Sequence, residues 1–361
     1  MKPKSLASLL SMILSNKLRR RRYTSLILGI AMTFMLYASL VQEEEGHEKL
    51  SVSDIFRFTN QEMRPSKGII IHPKKTCEKA CKNNIVITVV SKTSNTDRRQ
   101  TIRQTWGHTE MQRKYNFCLF FVVGTEENVD ISKEANSENG DIVQVNVSEN
   151  YYRLTEKVIE TFNWIINFCQ EPRYFFKMDD DVYFDLEFLN EFYQDEYYLP
   201  DDILLGSCKQ STAVSRVRSK YHTSFEEYPF ESFPPYCGGP GYMMTMNTAR
   251  KIYHEMLVTK TFKLEDAYLG LAIYKLDIPV KNVDNFIYAL DENDGYMQNF
   301  NIHCSRISHG LTYKNIQHLW EKRNRRENIS GDCLFWGKLR YTLRYLSSFI
   351  TDQGNDFRIS E

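Results

Sequence analysis

Net charge is the first thing this sequence lacks. Lysine plus arginine and aspartate plus glutamate both total 46 among 361 residues, so no global field would draw the chain to nucleic acid. Internal repeats and low-complexity tracts are also missing, and the length gives ample material for a core. Zinc-ligand spacing is absent: Cys77-x-x-x-Cys81 has no second Cys or His pair to complete it. Residues 1–22 contain no acid, although they hold Lys2, Lys4, Lys17 and the run Arg19 to Arg22. A single long apolar run stands out, residues 23–41, with 19 residues and no charge. At a helical rise of about 1.5 Å per residue it crosses a hydrocarbon core of about 30 Å. Basic residues precede it and Glu43, Glu44 and Glu45 follow it, which keeps the N-terminus cytosolic. A cleaved signal peptide would need a shorter basic region and a small-x-small cleavage site, and neither is clear here.

The expected layout is therefore a cytosolic tail at 1–22, a transmembrane signal anchor at 23–41, a polar stem at 42–76, a lumenal domain at 77–345 and a tail at 346–361. All eight cysteines follow the anchor, as do two glycosylation sequons, at Asn146 and Asn328. Both features suit an oxidising secretory compartment with disulfides.

Within the lumenal part, β-branched or aromatic runs predict strands at 85–90, 117–123, 142–147 and 174–178. Apolar residues at helical spacing from Leu154 to Ile166 predict an amphipathic helix over 154–168, and 98–106 suits another. Strands alternating with helices imply an α/β fold with a mostly parallel sheet. Further helices are expected at 187–193, at 247–257 capped by Asn247, and at 313–322. Residues 211–236 read as a long binding loop. The glycine-rich stretch 233–242 reads as a turn where backbone approaches a ligand.

Two places carry chemistry. The strand at 174–178 empties into Asp179, Asp180 and Asp181, three carboxylates that repel one another and that packing does not require. A hard divalent cation removes that conflict, with oxygen ligands shared between one or two carboxylates and substrate phosphates. Glu265 and Asp266 open an otherwise apolar helix. Acids there complement the helix dipole, and a partly desolvated one gains the raised pKa of a general base.

Four stretches in this order resemble the β1,3-galactosyltransferase family, glycosyltransferase family 31. They are Arg98-Arg99-x-x-Ile102-Arg103-x-Thr105-Trp106-Gly107, Phe176-Lys177-Met178-Asp179-Asp180-Asp181-Val182, Tyr236-Cys237-Gly238-Gly239-Pro240-Gly241-Tyr242 and Glu265-Asp266-x-Tyr268-x-Gly270. His309, with Trp320 beyond it, fits the family's C-terminal pattern, and the likeness runs over 84–322. It implies a GT-A (Rossmann-like) domain and an inverting, metal-dependent enzyme of the Golgi membrane. Such an enzyme takes a UDP-sugar donor and a glycan acceptor on glycoprotein or glycolipid. By the same resemblance Arg99, Arg103, Lys177 and Gly239 serve the nucleotide end, and Asp179 and Asp180 meet ribose or donor sugar. Asp181 and His309 hold Mn²⁺ or Mg²⁺, and Asp266 is the general base with Glu265 at its side. The chain departs from the family at Arg153, Asp185 and Tyr221, none of them a metal or base position.

The leading expectation is transfer of a hexose, galactose first, in β1,3 linkage. The alternatives are N-acetylglucosamine or N-acetylgalactosamine transfer and, in another class, a catalytically inactive lumenal sugar-nucleotide-binding or partner protein. A phosphohydrolase needs more than Asp-x-Asp followed by Tyr183. A homodimer is left open.

Overall fold

The computed structural model describes residues 52–77, 85–194, 200, 202–283, 286, 288–289 and 305–324. The expected cytosolic tail, signal anchor, Asn328 and 346–361 lie outside the described residues. Among those described, no helix is long and apolar enough to cross a membrane.

The chain enters through helix α1 (Val52–Thr59) and strand β1 (Ile69–Ile71), then β2 (Ile85–Val90) and helix α2 (Thr96–Gln104). Short helix α3 (Thr109–Lys114), β3 (Phe117–Thr125), α4 (Ser132–Ala135), β4 (Ile142–Ser148), α5 (Leu154–Phe168) and β5 (Tyr174–Asp179) follow. The second half brings β6 (Tyr183–Phe184), α6 (Glu187–Gln194), β7 (Leu204–Lys209), β8 (Thr212–Ala213), β9 (Ser232–Phe233) and β10 (Tyr236–Thr245). Helices α7 (Met246–Val258) and α8 (Glu265–Lys275) precede β11 (Val280–Asn282), β12 (Tyr288–Ala289), β13 (Ile307–His309) and α9 (Tyr313–Asn324).

Eight strands form one mixed sheet in the order β1-β4-β3-β2-β5-β10-β7-β11. Strands β4, β3, β2 and β5 run parallel, and every residue of β2 is buried, which explains a run made only of β-branched Ile, Val and Thr. Alternate residues feed two cores. Ile87, Phe121 and Phe176 pack with Ile102 and Trp106 of the α2 side. On the other face Phe120 meets Trp164 and Phe175 meets Phe162 of α5, edge to face. The chain leaves β2 towards β3 on one side and returns to β5 on the other. The boundary between β2 and β5 is thus the sheet's switch point, where ligands gather beyond the strand ends.

Three expectations need correction. The stem at 42–76 is not a free spacer over its described part, because α1 packs on α8 with Ile55 fully buried. Backbone bonds tie Gln61 and Arg64 to Val258 and Leu257, and β1 pairs with β4 at the sheet edge. Folded structure begins by residue 52. The glycine-rich turn expected at 233–242 is instead strand from Tyr236 on, the first part of β10, antiparallel between β5 and β7. A register shift between Cys237 and Tyr242 absorbs the glycines and Pro240, whose missing N–H a regular ladder would not tolerate. The cap of α7 is Thr245, whose hydroxyl accepts the Thr248 N–H, two residues ahead of the expected Asn247.

The expected loop at 211–236 is closed at its neck by the β8–β9 pair. Arg216 pins it from within, donating to the carbonyls of Thr223, Tyr228 and Phe230. Disulfides join Cys77 to Cys169 and Cys208 to Cys237, and Cys118 is also disulfide-bonded. Asn146 is exposed on β4.

Candidate active site

The acidic run sits at the carboxyl end of β5, beside the loop that leaves β2. Its three aspartates have three different surroundings. Asp180 is buried and accepts hydrogen bonds from Ser91 Oγ (2.7 Å), Asn95 Nδ2 (2.9 Å) and Arg98 Nη1 (3.1 Å). Its carboxylate therefore anchors the β2–α2 loop and does not face a sugar as expected. Asp179 lies half-buried on the face that looks towards α8. Asp181 follows the strand end and meets Arg98 only at a loose 3.8 Å. Burial, then the charges of Asp179 and Asp180, push its pKa up to about 6. A carboxylate in this state has much to gain from a cation.

His309 arrives on β13, which pairs antiparallel with β6 through Ile307–Phe184 and Ser308–Tyr183. The N–H of Leu311 donates to the Asp181 carbonyl at 3.0 Å, so backbone bonding brings the two proposed ligands to the same strand ends. Burial lowers the His309 pKa and favours the neutral imidazole that a metal requires. One oxygen and one nitrogen donor suit Mn²⁺ or Mg²⁺. Among the described residues no three His, Cys, Asp or Glu are placed to hold a metal. Protein ligands there fit an ion whose shell is completed by substrate oxygens. Asp185, a departure from the family pattern, is buried and pairs with Arg306 at 3.2 Å on the chain leading into β13.

Lys177 is the residue that joins the two chemical regions. Fully buried in mid-strand, its Nζ donates to Asp179 Oδ1 (2.7 Å), the Gly239 carbonyl (2.6 Å) and Glu265 Oε1 (2.9 Å). All three ammonium hydrogens have acceptors, which corrects its expected role as a direct nucleotide ligand. Close approach of β10 depends on Gly239, where an added Cβ would lie 2.6 Å from Glu265 Oε1. Gly239 thus shapes the base region and is not itself placed as a nucleotide contact.

At the start of α8 the two acids divide. Glu265 is buried against Lys177, and burial pushes its pKa up to about 7 against the pull of that ammonium. Tyr242 Oη lies 3.5 Å from its other oxygen. Asp266 is half-buried, with Oδ1 accepting the Ala267 N–H at 2.8 Å. Burial also raises its pKa, opposed by backbone N–H bonds from Ala267 and Gly239. Of the pair, Asp266 is the one a substrate can reach.

Arg99 and Arg103 require a further correction. Arg99 is fully buried and donates to Glu134, Ser91 Oγ and the carbonyls of Lys92 and Thr93. Arg103 forks onto Asp141 and also reaches Glu134. Guanidinium suits buried carboxylates as well as phosphates, and here the carboxylates have it. Arg99 holds the β2–α2 loop from beneath, and Arg103 ties α2 to α4 and to the approach to β4. Trp106 also serves the site: its Nε1–H donates to the Val182 carbonyl at 3.0 Å and fixes the turn after Asp181. Nothing in its local sequence announces that partner.

Comparison with known proteins gives the family. A family model described as Galactosyltransferase matches residues 97–284. Rat UDP-GalNAc:beta-1,3-N-acetylgalactosaminyltransferase 1 is 30% identical over 256 residues, covering 66% of this chain and 73% of that one. Its human counterpart is 29% identical over 252 residues with the same coverage. Human beta-1,3-galactosyltransferase 5 is 29% identical over 203 residues, covering 55% of this chain and 65% of that one. Acidic strand end, buried lysine and acid-headed helix all fall inside the matched span, and this chain belongs to the galactosyltransferase family of glycosyltransferases.

Proposed function

We propose that the protein is a GT-A-type, inverting, metal-dependent β1,3-hexosyltransferase. It moves galactose from UDP-galactose to a hydroxyl of a glycan on glycoprotein or glycolipid. The observation that carries this reading is the division of labour around Lys177. On one side Asp181 and His309 stand on joined strand ends, and on the other a reachable carboxylate, Asp266, heads α8. Names of the relatives support the reaction class and the linkage.

Asp181 and His309 would hold Mn²⁺ or Mg²⁺. When bound, that ion supplies charge neutralisation for the diphosphate that departs. Asp266 takes the proton of the acceptor hydroxyl as its oxygen bonds to the anomeric carbon. The bond from that carbon to the UDP oxygen breaks, and UDP leaves with the electron pair. One displacement inverts the centre and needs no covalent nucleophile. Lys177 keeps Glu265 and Asp179 fixed, so that the neighbouring Asp266 is held at the mouth of its helix. Asp179, half-buried beside this group, faces the donor sugar or ribose.

A second reading, transfer of N-acetylgalactosamine, is favoured by the names of the rat and human relatives. A donor-hydrolysis and transfer screen with Mn²⁺ across UDP-galactose, UDP-N-acetylgalactosamine and UDP-N-acetylglucosamine decides between them. Turnover with none of the three overturns the enzyme reading. For the whole protein we propose a single-pass type II anchor at 23–41, the catalytic domain in the Golgi lumen and glycans at Asn146 and Asn328. This is tested by glycosidase sensitivity and protease protection.

A further inference from the structure

The mechanism leaves unused a patch just beyond the base. Ahead of α5 a single 3-10 turn, Tyr151–Arg153, presents two exposed tyrosines whose rings meet edge to face at 5.8 Å. Tyr151 is the inner member. After burial and Tyr221, the charges of Asp266 and Glu265 also act to raise its pKa, which sets it within their field. Tyr152 is the outer member, 63% exposed, and it lines a cavity of about 420 Å³ together with Thr155, Glu227, Phe262 and Lys263. Lys263 Nζ stands 5.8 Å from the Tyr152 ring centre and 3.3 Å from Glu227 Oε2. Only Leu264 and Glu265 lie between Lys263 and Asp266, so their Cα atoms are at most about 10 Å apart. That is the reach of a disaccharide.

The wall has the chemistry of a sugar site. A pyranose has an apolar C–H face, for which Tyr152 offers a ring. It also has a rim of hydroxyls, for which the Glu227 carboxylate accepts, the Lys263 ammonium donates and Thr155 stands nearby. Lys263 and Glu227 already pair with each other, so neither enters the cavity as an uncompensated charge. Phe262 is part of the buried aromatic cluster with Phe233, stacked at 5.8 Å, which gives the floor a rigid backing. We infer that this cavity is an acceptor subsite for the sugar adjoining the one whose hydroxyl reacts, a neutral hexose or N-acetylhexosamine. Tyr152 and the Lys263–Glu227 pair then make the protein selective for acceptors longer than a monosaccharide. The inference rests on the transferase reading of Asp266.

The test compares wild type, Tyr152→Ala and Glu227→Gln on a monosaccharide and on the β-linked disaccharide that ends in it, with donor hydrolysis to water measured in parallel. Tyr152 is solvent-facing, so its truncation keeps the fold, and circular dichroism with a melting curve confirms this for both variants. Wild type should prefer the disaccharide by about tenfold or more in kcat/KM. Both variants should lose most of that preference through KM for the disaccharide, leaving monosaccharide transfer and donor hydrolysis within about twofold of wild type. Equal use of both acceptors by wild type overturns the subsite, as does an equal loss on both acceptors in the variants. Donor hydrolysis reports separately on the catalytic reading. Its absence in wild type removes the transferase reading and the subsite with it, whereas intact hydrolysis without disaccharide preference removes the subsite alone.

Discussion

Replacing Lys177 by methionine perturbs the site at the point where its two halves meet. The side chain fills a similar volume, so the loss is that of the ammonium and its three short bonds to Asp179, Gly239 and Glu265. Glu265 is only 5% exposed and loses the cation that opposes its desolvation, while the Gly239 carbonyl loses a donor. Removing one partner of a buried ion pair costs about 3–5 kcal/mol. For a domain of this size that lowers Tm by roughly 6–20 °C at neutral or higher pH. The pH dependence has a definite sign. Glu265 already sits at about 7 in the folded protein, above an ordinary glutamate, and losing Lys177 moves it higher still. A folded-state pKa raised above the unfolded one gives stability that is full at low pH and is lost as pH rises through the folded value. The deficit of K177M relative to wild type should therefore grow as pH rises above about 7, where wild-type Glu265 is already ionised and the variant's is still losing its proton. In the double variant K177M/E265Q the buried charge is gone, and about half or more of the loss should return. Calorimetric or fluorescence melting of all three proteins across pH measures this. A K177M protein melting within about 2 °C of wild type at pH 8, or a deficit that does not grow with pH, would refute the argument.

Other outcomes follow from the same geometry. Asp181→Asn and His309→Ala should each weaken binding of Mn²⁺ with UDP by about tenfold or more, read by titration calorimetry, with little change in Tm. Unchanged Mn²⁺ affinity in both would remove them as ligands. Because burial raises the Asp266 pKa, kcat/KM should fall as pH drops, with a midpoint above the ordinary aspartate value of about 3.9. A limb at or below that value contradicts the base assignment. Gly239→Ala places a methyl 2.6 Å from Glu265 Oε1 and should cost about 1–3 kcal/mol in stability with a fall in kcat. Tolerance of alanine at wild-type rate would show that β10 does not need to approach so closely.

Much of the scaffold was legible because its cause is local. The β-branched run of β2 is buried on both faces, and the 3.6-residue spacing over 154–168 returns as α5 with the same bounds. The acidic cluster was legible for another reason: three adjacent acids after an aromatic strand carry a charge conflict that packing alone does not call for. Less was legible where the partner lies far along the chain. Lys177 is a buried lysine whose acceptors come from positions 239 and 265, one of them inside a Gly-Pro-Gly stretch that reads as a turn. Arg99 and Arg103 show the same limit from the opposite side. Their chemistry suits a diphosphate, but Glu134 and Asp141, supplied by α4 and the approach to β4, meet them first. Polar composition made the segment ahead of β2 resemble a spacer, although α1 and β1 need only a few apolar residues to dock.

The measurement that bears most directly on the whole account is transfer by Asp266→Asn beside its affinity for Mn²⁺ and UDP. A reachable carboxylate acting as general base predicts transfer reduced by about 10²–10⁴-fold with binding of the metal–nucleotide pair unchanged. Transfer remaining within about tenfold of wild type would mean that another group takes the acceptor's proton and that the site is organised differently.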